Sequence, residues 1–258
     1  MDLIDIGVNL THKQFAGDLP DVVARAEKAG VSRMIVTGTS LRASRAALDL
    51  AARYPDRLFS TAGVHPHDAK SWDASHESRL AELLGNPACV AVGECGLDYN
   101  RDFSPRDVQR RVFEKQIDIA VRRKAPLFTH ERDAHADFLS MIREIPKTAP
   151  VVVHCFTGTL AEAESYLAEG CFIGLTGWIC DERRGAHLAD VVRAIPLDRL
   201  MLETDAPYVA PRDVYPRPSR NEPMYLAHIA EVIARAAGVP AQRLAAAATA
   251  NSERFFGI

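Results

Sequence analysis

The chain has 258 residues, a length at which an α/β barrel commonly forms as one domain. Hydrophobic residues make up 47% and charged residues 25%, with 15 Gly and 15 Pro, a globular balance that excludes a disordered, low-complexity or collagen-like chain. Lys and Arg total 31 against 34 Asp and Glu, so the net charge of −3 excludes a polybasic nucleic-acid binder and any hold on phosphate must be local.

The opening MDLIDIGVNL carries two aspartates and no basic segment, unlike a signal peptide or anchor. No apolar run approaches the roughly 18 residues needed to cross a bilayer. Five cysteines, Cys89, Cys95, Cys155, Cys171 and Cys180, form no CxxC pair and are odd in number, which fits a reducing compartment. The expectation is a cytoplasmic protein with no membrane contact, monomeric by preference.

In chain order, short runs rich in β-branched residues span Leu3–Val8, Arg33–Thr37, Leu58–Val64, Cys89–Gly93, Pro126–His130, Val151–Cys155, Cys171–Leu175 and Arg199–Thr204. Helical patterns separate them, at Leu19–Ala29, Ala43–Ala52, Ser78–Leu84, Asp107–Arg123, Ala134–Arg143, Leu160–Glu169 and Leu188–Ala194, and two more follow the last strand. Most strands read as continuous apolar runs, as a parallel sheet buried on both faces requires. Eight β-α units predict a single (β/α)8 TIM-type barrel over 1–258, with reactive groups at the carboxyl ends of the strands. An open doubly wound sheet is the alternative, but the first βα turn, Gly7-Val8-Asn9-Leu10, lacks a GxGxxG fingerprint.

Four strands end on potential ligands: Glu94, His130, His154 and Asp205. In a closed barrel these side chains converge on one mouth, and two imidazoles with two carboxylates suit a divalent cation that activates water. Each residue alone has a plainer reading, as a hydrogen-bonded histidine or a helix-capping acid. The joint placement on four strand ends is what favours a metal centre.

Val92-Gly93-Glu94-Cys95-Gly96-Leu97-Asp98-Tyr99 resembles a signature of the TatD-type metal-dependent deoxyribonucleases. Gly63-Val64-His65-Pro66-His67, Thr129-His130-Glu131-Arg132, Val153-His154-Cys155-Phe156-Thr157-Gly158, Leu202 to Tyr208 and Arg220-Asn221-Glu222-Pro223 are similar to further motifs of that family. The resemblance implies a metal-dependent hydrolase of phosphodiester bonds, a 3′-5′ exonuclease on single-stranded DNA and RNA. Its implied cofactor is Mg2+, with Mn2+ or Zn2+ as substitutes, and its implied ligands are Glu94, His130, His154 and Asp205. Many family members carry an H-x-H on the first strand. Gly7-Val8-Asn9 stands there in this chain, a form similar to the branch named TatD proper, and leaves one cation or two open.

Asp205 or Glu94 is the expected proton acceptor. Glu203, two residues before Asp205 and on the same face of an extended strand, is a candidate for orienting a ligand or contacting substrate. His65 and His67 read as phosphate or leaving-group contacts, Arg132 and Tyr99 as substrate contacts, and Asp5 and Asn9 as outer contacts. Arg101, Arg183, Arg184, Arg212, Arg217 and Arg220 with Phe103, Trp178, Tyr208 and Tyr215 offer a rim for phosphates and unpaired bases. His12, His76, His135, His187 and His228 read as solvent-facing and are assigned no role. Alternative functions are hydrolysis of another ester or amide, such as removal of D-amino acids from tRNA, and a non-catalytic nucleic-acid-binding barrel.

Overall fold

The computed structural model describes residues 1–258. Eight strands, β1 (Leu3–Val8), β2 (Val31–Val36), β3 (Leu58–Ala62), β4 (Cys89–Asp98), β5 (Leu127–Arg132), β6 (Val151–Val153), β7 (Phe172–Leu175) and β8 (Leu200–Leu202), pair in sequence order, every pair parallel. The ring is closed between its first and last strands: Asp205 N–H donates to Gly7 O at 2.8 Å and Asn9 N–H to Ala206 O at 2.8 Å. One rung is supplied by a side chain, because Thr204 N–H donates to Asp5 Oδ1 at 2.9 Å. The expected (β/α)8 barrel is the observed fold.

The helices are α1 (Leu19–Lys28), α2 (Leu41–Ala51), α3 (His76–Leu83), α4 (Arg106–Arg123), α5 (His135–Arg143), α6 (Leu160–Ala168), α7 (Leu188–Ala194), α8 (Leu226–Ala237) and α9 (Ala241–Phe256). Their starts follow local chemistry. The Ser40 hydroxyl accepts from Ala43 N–H at the head of α2, and Thr159 with Glu162 forms a reciprocal capping box on α6. The left-handed Gly238 ends α8.

Two apolar cores result. The larger lies between strands and helices. The smaller fills the barrel with Ile4, Ile6, Ile35, Ala91, Phe128, Val152, Phe172 and Met201, joined by Phe255 and Phe256 from α9. None of these interior residues is the last of its strand, which leaves the carboxyl ends to polar groups.

Strand β4 corrects one expectation. Glu94 does not end its strand, since pairing with β5 continues through Leu97 opposite Glu131 and Asp98 opposite Arg132 after an irregularity between Gly93 and Cys95. Gly93 (φ 145°) and Gly96 (φ 139°) permit it: a Cβ at Gly93 would lie 2.2 Å from Phe128 O and one at Gly96 would lie 1.9 Å from His130 O. His130 likewise sits inside β5 and not at its end.

Candidate active site

The carboxyl ends of the strands open into a cavity of about 1040 Å3 lined by Glu94, His65, His67, His130, His154 and Asp205. Glu94 is its hub. One oxygen, Oε1, lies 2.8 Å from His154 Nε2, 3.1 Å from His130 Nδ1 and 3.2 Å from His65 Nε2. Burial alone would raise the Glu94 carboxyl, but the imidazoles of His65, His154 and His130 together hold it well below its usual range. Burial likewise disfavours the charged form of His154, yet Glu94 and Glu203 raise it well above the ordinary imidazole value. For His65 burial wins over Glu94 and the shift is downward.

Asp205 lines the same cavity and is held differently. Asn9 Nδ2 donates to its Oδ1 at 2.9 Å. Burial pushes its carboxyl up to about 7, with the nearby His154 opposing and Glu94 and Glu203 reinforcing. Asp205 (φ 52°) and Cys155 (φ 47°), immediately after His154, both adopt left-handed backbone. Such conformations are uncommon for non-glycine residues and typical of sites where the fold aims a side chain.

Two buried glutamines of α4 brace this end of the barrel, and their spacing of seven residues puts both on one helix face. Gln116 Oε1 accepts from Val64 N–H at 2.8 Å and its Nε2 donates to Val64 O at 3.0 Å, fixing the backbone just before His65. Gln109 does the same for Asp98. Asp98 in turn holds two histidines: its Oδ2 lies 2.7 Å from His67 Nε2 and 3.3 Å from His130 Nε2. Although burial pushes it upward, the bonds from His130 and His67 bring the Asp98 carboxyl below its ordinary value. An ionised Asp98 accepts from His130 Nε2–H, which makes Nδ1, facing Glu94, the ring nitrogen that a cation would take.

Of the two places expected for Glu203, behind a ligand or against substrate, its position corresponds to the first. It is fully buried and does not line the cavity. It sits behind His154, with Oε2 3.2 Å from His154 Nδ1 and Oε1 accepting from Cys155 N–H at 2.5 Å. Two glycines make room for it: a Cβ on Gly7 would lie 2.4 Å from Glu203 Oε2 and one on Gly174 would lie 2.5 Å from Oε1. The missing side chain of Gly7 is therefore part of the space this carboxylate occupies. Asp5 lies outside the cavity lining as well, with Oδ2 2.5 Å from Thr204 Oγ1.

Of the remaining expectations, Arg132 and Arg101 line the cavity, as do Phe103, Trp178 and Tyr208. Tyr99 does not. Its hydroxyl donates to Asp137 at 2.6 Å and its ring lies under Arg106, so its side chain is held against α4 and α5. Tyr215 is 87% exposed and outside the lining. Arg220 is bound to Asp18 and Glu222. His76 is buried, stacked on Trp72 and bonded to Asp73, and His135 meets the Tyr166 hydroxyl at 2.8 Å, so neither is a plain solvent-facing histidine.

Sequence reasoning passed over His12, Lys13 and Arg42, which line the mouth. The signal was available, because Lys13 lies in the connection after β1 and Arg42 in the first turn of α2 after β2, where the strand-end rule directs attention. Asp98 was visible only as one letter of a longer motif.

A buried carboxylate facing three imidazoles, with a second carboxylate on the same cavity, is a donor set that fits a divalent cation. His65, Glu94 and His130 bring one ligand atom each within 4.8 Å of one another. The profile of TatD related DNases matches residues 4–257. A relative from Erwinia tasmaniensis, named 3′-5′ ssDNA/RNA exonuclease TatD, is 50% identical over 259 residues, covering 99% of this chain and 100% of its own. One of the same name from Escherichia coli K12 is 49% identical, covering 99% of each chain. Among solved structures, the TatD homologue YJJV from Escherichia coli K12 superposes with a TM-score of 0.91 at 28% identity over 99% of this chain and 98% of that one. The chain belongs to the TatD-related DNase family, and it is a metal-dependent hydrolase of that family.

Proposed function

We propose that the protein is a 3′-5′ exonuclease acting on single-stranded DNA and RNA, with one divalent cation, Mg2+ by preference and Mn2+ or Zn2+ as substitutes. The observation that carries the reading is the convergence of His65, His130 and His154 on Glu94 Oε1 at the floor of a cavity whose rim is cationic and aromatic. Glu94, His130, His154 and Asp205 would hold the cation, and His65 offers a ligand atom within 4.8 Å of those of Glu94 and His130. The bound cation supplies Lewis acidity for water and for the non-bridging phosphate oxygens.

The chain's own groups divide the remaining work. Asp205, whose Oδ1 accepts from Asn9 and whose side chain lines the cavity, is placed to take the proton of the attacking water. His67, ordered by Asp98, lines the cavity where it can contact the phosphate or the departing oxygen. Lys13, Arg42, Arg101 and Arg132 neutralise backbone phosphates, and Phe103 and Tyr208, 55% and 49% exposed, offer faces on which unpaired bases stack. No helix is long and apolar enough to cross a membrane, and five free cysteines suit work in the cytoplasm.

The test is digestion of end-labelled single-stranded DNA and RNA, with a D-aminoacyl ester in parallel, by metal-stripped protein restored with Mg2+, Mn2+ or Zn2+. Stepwise loss from the 3′ end only with metal, abolished in Glu94→Ala and Asp205→Ala, is the expected result. Removing Lys13, Arg42 or Arg101 should each lower the salt slope of binding by about 0.7, the contribution of one phosphate contact on a single strand. Inert nucleic acid beside rapid ester turnover would overturn the assignment.

A further inference from the structure

A second cluster of metal-binding side chains stands apart from the residues above. Cys180, Asp213 and His228 bring a thiol, a carboxylate and an imidazole within 4.8 Å of one another. They come from three separate segments: the 3-10 turn Gly177–Cys180 after β7, the proline-rich strap between β8 and α8, and the first turn of α8. His228 Nε2 lies 2.8 Å from Asp213 Oδ1. The Cys180 thiol is hydrogen-bonded to the same Asp213 carboxylate, so one acid gathers a buried thiol and an imidazole at a single point.

We propose that Cys180, Asp213 and His228 form a second cation site, selective for Zn2+ or another thiophilic divalent ion and distinct from the centre around Glu94. One sulfur, one imidazole nitrogen and one carboxylate oxygen are three of the four donors of tetrahedral Zn2+, and water completes the set. Exposure fits this arrangement. The thiol is 4% exposed, whereas His228 and Asp213 retain 30% and 37% of their side-chain surface, so an ion can enter from solvent. The ion takes the place of the proton between His228 Nε2 and Asp213, which moves to His228 Nδ1, and the Cys180 S–H bond breaks with its proton released to water as the Sγ–metal bond forms. Burial pushes the free thiol up to about 12 and Asp213 reinforces this while Arg235 opposes it. Binding therefore releases a proton and strengthens as pH rises.

The site fastens the strap where it borders the active-site cavity. The Gly177–Cys180 turn carries Trp178 to the cavity wall, and the strap contributes Tyr208 and Val209 to the same wall. A Cβ on Gly177 would lie 2.7 Å from Val209 O, so turn and strap are already in close contact.

Titration of the full-length, metal-stripped protein with Co2+ tests the proposal by the near-ultraviolet thiolate-to-cobalt absorption. The expected result is a band that saturates at one equivalent, is displaced by Zn2+, is abolished in Cys180→Ser and persists in Cys155→Ser. Asp213→Asn and His228→Gln, both at the surface, should weaken it at least tenfold with unchanged circular dichroism. Absence of the band, its survival in Cys180→Ser, or its loss only in Cys155→Ser would overturn the site.

Discussion

Asp98→Asn isolates the orienting role of one buried carboxylate. Asp98 Oδ1 accepts from Asn100 N–H at 3.0 Å and Arg101 N–H at 2.8 Å, and the Asn side-chain oxygen can keep both bonds. The amide nitrogen then replaces Oδ2 and meets His67 Nε2 and His130 Nε2 as a donor, so each ring must present a lone pair where it carried a proton. His130 answers by moving its proton to Nδ1, the atom 3.1 Å from Glu94 that is needed for a cation. Loss of a partner that orients a metal-binding histidine costs about 10–100-fold in metal affinity or activity, or about 1.4–2.8 kcal/mol. The His130 bond is 3.3 Å, at the long end of hydrogen bonding, which places the expected loss at about 10–30-fold. Mn2+ affinity by titration calorimetry and the initial rate on single-stranded DNA should fall together, while the unfolding midpoint changes by no more than about 3 °C. Unchanged metal affinity and rate in Asp98→Asn would refute the orientation argument.

Gly7→Ala forces a methyl to within 2.4 Å of the buried Glu203 Oε2 and should destabilise the protein by about 1–3 kcal/mol, read as a lower midpoint in chemical denaturation; wild-type stability would show that Glu203 has room to move. Gln116→Leu strips the side-chain partners from Val64 N–H and C=O, and should lower stability by about 1–3 kcal/mol while weakening activity through displacement of His65. Crystallography of that variant with His65 unmoved and activity intact would contradict it. Asp5 gives the pH dependence. Burial raises its carboxyl from 3.8 to about 8 in the fold against the opposing bonds of Thr204, so folding favours the protonated form. That contribution is complete below about pH 4 and is lost as pH rises toward 8. Asp5→Asn, which copies the protonated side chain, should flatten the stability profile over that window and exceed wild type at its upper end; parallel profiles in urea titrations would count against the assignment.

The amino-acid sequence alone determined the architecture of this protein and singled out its candidate ligands. Runs such as Val151-Val152-Val153, buried on both faces, could only be parallel strands, and eight of them alternating with helical segments close into a barrel whose strand ends meet. Strand chemistry is local, so Glu94, His130, His154 and Asp205 were legible one strand at a time. Tertiary structure decided everything that depends on which neighbour faces which. Asp98 serves His67 and His130 only because β4 runs past Glu94 and pairs with β5 to its end. Glu203 is sealed behind His154 because glycines from β1 and β7, far apart along the chain, leave it space. Tyr99 is withdrawn from the mouth by Asp137 and Arg106 on neighbouring helices. A residue's type and its strand position follow from local sequence, but its hydrogen-bond partner follows from packing between distant segments, and the partner decides whether a carboxylate binds, orients or merely fills.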